Sequence, residues 1–180
     1  MKTKIVFLAG FMGAGKSTIG PILANTLGWS FFDLDRVIEA KLRKKIADIF
    51  SENGETAFRI LERETLQDLA GNENVIIALG GGTIADQKNI DFMKKKGKII
   101  FLEASPESFY HRLKYKTDRP ILKGKEEELL SQDELKQRIT EILNYRKRFY
   151  DQADVSMYTD KYSIGKTVDE ISKIILKDFE

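Results

Sequence analysis

Eight residues near the start of the chain, Gly10-Phe11-Met12-Gly13-Ala14-Gly15-Lys16-Ser17, follow the spacing G-x-x-x-x-G-K-[ST]. They come directly after the apolar run 5–9 and open a helix-length segment, the context in which such a loop wraps a phosphate chain. Glycines let the backbone approach closely and turn its N–H groups inward. The helix N-terminus adds partial positive charge. Lys16 is placed to reach the outer phosphates, and the Ser17 hydroxyl to ligate Mg²⁺. The cradle for ATP covers Gly13, Ala14, Gly15, Lys16, Ser17 and Thr18. A GTPase should add an N-K-x-D guanine reader, and the chain has none. Asp68-Leu69-Ala70-Gly71 spells D-x-x-G but ends a helical pattern, not a strand. A motor ATPase wants an acidic pair closing an apolar strand; Glu103, after Ile99-Ile100-Phe101-Leu102, is single. A kinase remains.

Next in chemical content is Phe31-Phe32-Asp33-Leu34-Asp35, an aromatic strand closing on two carboxylates. At strand spacing, residues i and i+2 point the same way. One carboxylate would hold a metal, and the other would orient a substrate hydroxyl and accept its proton. Leu79-Gly80-Gly81-Gly82-Thr83 strips a sheet edge of side chains, so that a ligand can approach the backbone. Three arginines have two readings each. Arg146 shares a helical stripe with Ile142, Leu143, Phe149 and Tyr150, and either snorkels or serves a buried anion. Arg59 either pairs with Glu62 at i+3 or binds substrate. Arg119, in Thr117-Asp118-Arg119-Pro120, is a loop charge or a lid cation. His111 reads as a surface helix residue.

The elements that must position these groups alternate. Strands are expected at 5–9, 30–33, 75–79, 99–103 and 154–159. Helices are expected at 17–27, 36–45, 55–70, 87–96, 106–114, 133–150 and 165–177. Gly28 and Gly97 fall where left-handed helix caps are wanted, and Pro106 fits a first helical turn. Strand–helix alternation argues α/β with a mostly parallel sheet, whose ligands bind beyond the strands' carboxyl ends. Two stretches break the pattern. The helical excursion 37–70 is too long for one crossover. Segment 115–131 is charged, contains Pro120 and Gly124, and has the length of a loop that is either disordered or a functional lid.

Composition narrows the class. A chain of 180 residues suits one domain, 1–180, and 42% hydrophobic residues can build a core. With 30 basic and 28 acidic residues, the net charge of +2 calls for neither nucleic acid nor membrane as a partner. The absence of cysteine excludes disulfides and thiolate chemistry, and a single histidine excludes a histidine cluster. Any metal must be held by oxygen, which suits Mg²⁺ or Ca²⁺. No apolar run reaches the ~20 residues of a membrane span, so a soluble, cytoplasmic protein is expected, as a monomer.

Taken together, the P-loop at 10–17, Phe32-Asp33-Leu34-Asp35, Ile46-Ala47-Asp48-Ile49-Phe50, Phe58-Arg59, Gly80-Gly81-Gly82, Asp118-Arg119-Pro120 and Arg146 with Tyr150 resemble the shikimate kinase family in order and spacing, over residues 4–175. The resemblance implies a nucleoside-monophosphate-kinase-like P-loop fold with a five-stranded parallel sheet flanked by helices. It also implies a substrate-binding helical insert at 37–61 and a lid near 115–122. By position, Asp33 and Ser17 look like the Mg²⁺ pair, and Asp35 like the partner and base of the substrate hydroxyl. Arg59 and Arg146 look like a clamp on the shikimate carboxylate, aided by the backbone of Gly80, Gly81 and Gly82. Arg119 looks like the lid cation on the phosphates, and Arg112 like the arginine that stacks on adenine. Where the family often has proline two residues after its carboxylate arginine, this chain has Arg148. The competing readings are another small-molecule kinase, for gluconate or a nucleoside monophosphate, and a non-catalytic ATP-binding regulator.

Overall fold

The computed structural model describes residues 4–115 and 130–178. Within them the chain runs β1 (Ile5–Gly10), α1 (Lys16–Leu27), β2 (Ser30–Asp33), α2 (Leu34–Leu42), α3 (Ile46–Leu69), β3 (Val75–Ala78), α4 (Gln87–Lys96), β4 (Lys98–Glu103), α5 (Pro106–Leu113), α6 (Gln132–Tyr150), β5 (Val155–Tyr158) and α7 (Ile164–Asp178). Single 3-10 turns follow β3, at Thr83–Ala85, and β5, at Thr159–Lys161. The five strands are parallel, in the order β2-β3-β1-β4-β5.

The continuous apolar runs have a plain cause: both faces of the sheet are covered, so both alternating sets of side chains are buried. Ile5, Phe7 and Ala9 of β1 join Val75, Ile77, Ile99 and Phe101 in the core beneath α2, α3 and α4. Val6 and Leu8 join Ile76, Ile100 and Leu102 in the core beneath α1, α5 and α7. α6 contributes to both, with Leu135 and Ile139 in the second core and Phe149 and Tyr150 in the first. The Tyr150 ring stacks on Phe101 at 4.2 Å between centroids, which anchors the end of α6 to β4. Each wholly buried Leu, Ile or Phe contributes about 1.5–3 kcal/mol. Among the described residues, no helix is long and apolar enough to cross a membrane.

Three expectations are corrected. The strand over 30–33 is as expected, but the strand spacing read into Asp33 and Asp35 does not hold. The strand ends at Asp33, whose carboxylate accepts from the Arg36 N–H and caps α2, so Asp35 lies in the first turn of a helix. The excursion after β2 is two helices, and the helix expected at 55–70 is only the rear of α3. Gly54, at φ 78 and ψ 168, breaks α3 in a conformation that L-residues rarely adopt. Gly28 is left-handed as expected, but Gly97 is extended, at φ −169. Its need for glycine is steric: an added Cβ would stand 2.2 Å from the Ile5 carbonyl oxygen. Arg119 and most of segment 115–131 lie outside the described residues.

Candidate active site

The site forms beyond the carboxyl ends of β1, β2 and β3, where strands hand over to helices. β1 ends at Gly10, and Gly13 and Gly15 take positive φ of 81° and 96° to turn the loop into α1. Gly15 is the cap of α1, and the Thr18 and Ile19 N–H groups donate to its carbonyl at 2.9 and 2.7 Å. Ala14 is buried under the loop, and an added Cβ at Gly10 would meet it at 2.9 Å. Lys16 Nζ donates to the Gly10 carbonyl at 2.7 Å, so its cation lies along the loop that it must serve. Ser17 Oγ donates to Asp33 Oδ2 at 3.2 Å.

Asp33 and Asp35 are set apart by their surroundings. Asp33 is a helix cap and partner of Ser17. Asp35 is half-buried, and burial, the neighbouring Asp33 and then Glu62 push its carboxyl up to about 6, against the opposing pull of Lys16. The glycine triplet makes room for it: a Cβ at Gly80 would lie 2.5 Å from Asp35 Oδ1 and 3.0 Å from Glu62 Oε1. Glycine here admits the protein's own side chains, where the sequence suggested only a ligand.

Arg59 makes the ion pair with Glu62 that its spacing allowed. Its Nη1 donates to the buried Glu62 carboxylate at 2.9 Å, and Nη2 to Glu55 at 3.3 Å. Burial alone would lower its pKa; Glu62, helped by Glu55, outweighs that and raises it. The same guanidinium lies over the Gly82 backbone, where a Cβ would stand 2.5 Å from Nη2. Arg146 comes from the facing helix. Its Nη1 is buried without a hydrogen-bond partner among the described residues, 3.8 Å from where a Gly81 Cβ would be. The Tyr150 hydroxyl lies beside Arg146, close enough to feel its guanidinium, yet the two do not reach the geometry of a full hydrogen bond. Burial raises the Tyr150 pKa, and the Arg146 cation offsets part of the rise. An orphaned buried guanidinium nitrogen is costly, and an anion would satisfy it. Arg59 and Arg146 line one open cleft of about 860 Å³ between α3, the 3-10 turn after β3 and α6.

Arg112 stands on the other side of the P-loop, with Nη1 donating to the Gly13 carbonyl at 3.1 Å. The site thus gathers the P-loop, Asp33, Asp35, Arg59, Gly80, Gly81, Gly82, Arg112 and Arg146. The sequence offers Glu62 only as a partner for Arg59 and gives Thr83 no role of its own. Glu62 is 1% exposed and accepts from both Arg59 and Thr83 Oγ1, the latter at 2.7 Å. The i,i+3 spacing of Arg59 and Glu62 signals their pairing but not the burial of Glu62. His111 is exposed and pairs with Glu107, as a surface residue would.

The described residues contain no cluster of three or more His, Cys, Asp or Glu able to hold a metal alone. Ser17 and Asp33 nevertheless fit Mg²⁺, which takes one or two protein oxygens and completes its shell with substrate phosphates and water.

Comparison with known proteins agrees with this geometry. The family model "Shikimate kinase" matches residues 12–176. The shikimate kinase of Chlorobaculum parvum is 45% identical, over 95% of this chain and 91% of its own. The crystal structure of shikimate kinase from Bacteroides thetaiotaomicron superposes with a TM-score of 0.86 at 38% identity, covering 96% of this chain and 98% of the other. That of Acinetobacter baumannii shikimate kinase in complex with shikimate gives 0.85 at 30% identity, covering 98% and 94%. With the P-loop, the strand-end carboxylates and the arginine-lined cleft all in place, the chain belongs to the shikimate kinase family.

Proposed function

We propose that this protein transfers the γ-phosphate of ATP to the 3-hydroxyl of shikimate, giving shikimate 3-phosphate and ADP. One observation carries the reading. Asp35 stands at Gly80, within electrostatic reach of Lys16 on one side and of the Glu62–Arg59 pair, at the arginine-lined cleft, on the other. A hydroxyl presented to Asp35 would have the phosphate loop and the carboxylate clamp at opposite ends.

In this reading the P-loop amides and Lys16 hold the phosphates of ATP, with Thr18 and Arg112 as further nucleotide contacts. Ser17 and Asp33 would hold Mg²⁺, which would neutralise phosphate charge. Arg59 and Arg146 grip the shikimate carboxylate through planar forks, against the backbone of Gly80, Gly81 and Gly82. Asp35 orients the 3-hydroxyl and accepts its proton. A carboxyl held near 6 is a stronger base than an ordinary aspartate, yet remains ionised at neutral pH. Arg119 completes the charge neutralisation from segment 115–131, with 37–61 as the substrate-binding part of the domain. Phosphoryl transfer depends mostly on such positioning and electrostatics.

The alternative small-molecule kinases are not favoured by the comparisons, and an intact Lys16, Ser17, Asp33 and Asp35 argues for catalysis over regulation. The deciding assay is ADP release over a substrate panel. Turnover should need shikimate and Mg²⁺ together. Strong turnover with gluconate or AMP and none with shikimate would overturn the assignment. Arg119→Ala should lose most of kcat, and unchanged turnover would return Arg119 to an ordinary loop charge.

A further inference from the structure

We propose that Asp160 is a positioning residue of the nucleotide site, fixing the Arg112 guanidinium across the P-loop. The proposal rests on the reading of this loop as the ATP site. Arg112 is anchored on two sides. One nitrogen, Nη1, donates to the Gly13 carbonyl at 3.1 Å, and the other, Nη2, donates to Asp160 Oδ1 at 2.9 Å. A planar group held at two points has its plane set.

Asp160 is itself immobilised. Its Oδ2 accepts from the Ser105 N–H at 2.8 Å and from Ser105 Oγ at 2.9 Å. Ser105 caps α5, the helix that carries Arg112. The preceding Thr159 donates through Oγ1 to the Glu103 carbonyl at 3.0 Å, tying the 3-10 turn to the end of β4. Burial would raise the Asp160 pKa, but its bonds to Ser105, with Ser108 and Arg112, hold it below the usual range. The carboxylate is therefore present as an anion at neutral pH, with its side chain 18% exposed. Among the described residues Asp160 is the carboxylate that pairs with Arg112, and it draws Nη2 to a fixed point.

An anion near a phosphate site repels the ligand if it acts alone. Acting through Arg112 reverses the sign of its effect. It orders a cation at the loop, and Arg112 in turn holds the Gly13 peptide, whose left-handed conformation shapes the cradle. The bland alternative is that Asp160 merely braces the N-terminus of α5 through Ser105. The two roles separate experimentally.

The test is calorimetric binding of Mg²⁺-ADP to the full chain, without shikimate, for wild type, Asp160→Ala, Asp160→Asn, Ser105→Ala, Arg112→Ala and the Asp160→Ala/Arg112→Ala pair. Losing a charge-assisted anchor should weaken ADP by about tenfold in Asp160→Ala, and less in Asp160→Asn, which keeps an acceptor. Ser105→Ala should stay within about twofold of wild type, and Asp160→Ala should add under about twofold once Arg112 is gone. In steady state KM for ATP should rise while KM for shikimate holds. Additive losses in the double variant, equal damage from Ser105→Ala, or equal rises in both KM values would overturn the proposal. Should Asp160→Ala fold poorly, Asp160→Asn carries the same comparison, and ADP affinity equal to wild type there and in Arg112→Ala would also overturn it. A wild type that binds ADP but does not turn over shikimate would instead count against the proposed reaction, leaving the binding comparison intact.

Discussion

Asp35 and its neighbours give the sharpest residue-scale outcomes. Asp35→Asn keeps shape and removes the proposed base, so kcat should fall by about 10²–10⁴-fold with ADP binding little changed. A kcat within about threefold of wild type would show that Asp35 is not the base. For the wild type, kcat/KM for shikimate should decline as pH drops below about 6, where Asp35 of the free enzyme gains its proton. Stability moves the opposite way. The folded pKa lies above the ordinary 3.8, so the folded form binds the proton more tightly. The favourable contribution is complete below about 4 and lost as pH rises through about 6. Asp35→Asn should therefore be more stable than wild type at pH 7–8, by roughly 1–3 kcal/mol, and equal to it near pH 4. Thermal melts across that range check the sign; equal stability at every pH would contradict it. At the cleft, Arg59→Lys and Arg146→Lys keep charge and lose the planar fork. Each should raise KM for shikimate about tenfold or more while KM for ATP stays near wild type. Most of these residues were legible in the sequence because the chemistry demands rare combinations of types at short spacing. Glu62 was not, since its burial comes from β3 and the turn at Thr83 closing over it, and no local pattern records that.

At the scale of elements, the strands and most helices were legible because a doubly covered sheet writes itself as apolar runs. The turn from β2 into α2 was not, because D-x-D suits a strand end and a helix cap equally well. What decided it was the bond from the Arg36 N–H to Asp33. Gly54 and Gly97 show the same limit: a helix break and a close backbone approach both spell glycine. The glycines also separate function from stability. At Gly82 an added methyl meets the flexible end of Arg59, which can move aside. Gly82→Ala should raise KM for shikimate roughly tenfold, with a loss of stability smaller than that at Gly97, since moving Arg59 loosens its bond to the buried Glu62. At Gly97 the same methyl meets the Ile5 carbonyl, fixed in the sheet. Gly97→Ala should lose on the order of 3 kcal/mol of stability and leave the KM of the folded enzyme unchanged. Denaturant titration beside steady-state kinetics tests both, and the reverse pattern would refute the assignment of the two glycines.

For the whole molecule, the α/β class and the number of strands were legible, but their order was not. Apolar runs state that a strand is buried, not which strands flank it. The order β2-β3-β1-β4-β5 puts β1 at the centre, with Ile5 opposite Val75 and Phe7 opposite Ile99. β1 thus finds both of its partners far downstream in sequence. A growing chain closes one flank of the phosphate loop only after β3 is made, and the other only after β4. Such distant pairings are slow relative to helix formation. A nucleotide cradle flanked on both sides by strands therefore needs β3 and β4 in place beside β1. The molecule becomes responsive to ADP late and at once, when the centre of the sheet is completed. In refolding from denaturant, helical circular dichroism should recover before ADP binding, and simultaneous recovery in a stopped-flow measurement would show that the cradle assembles without its flanks.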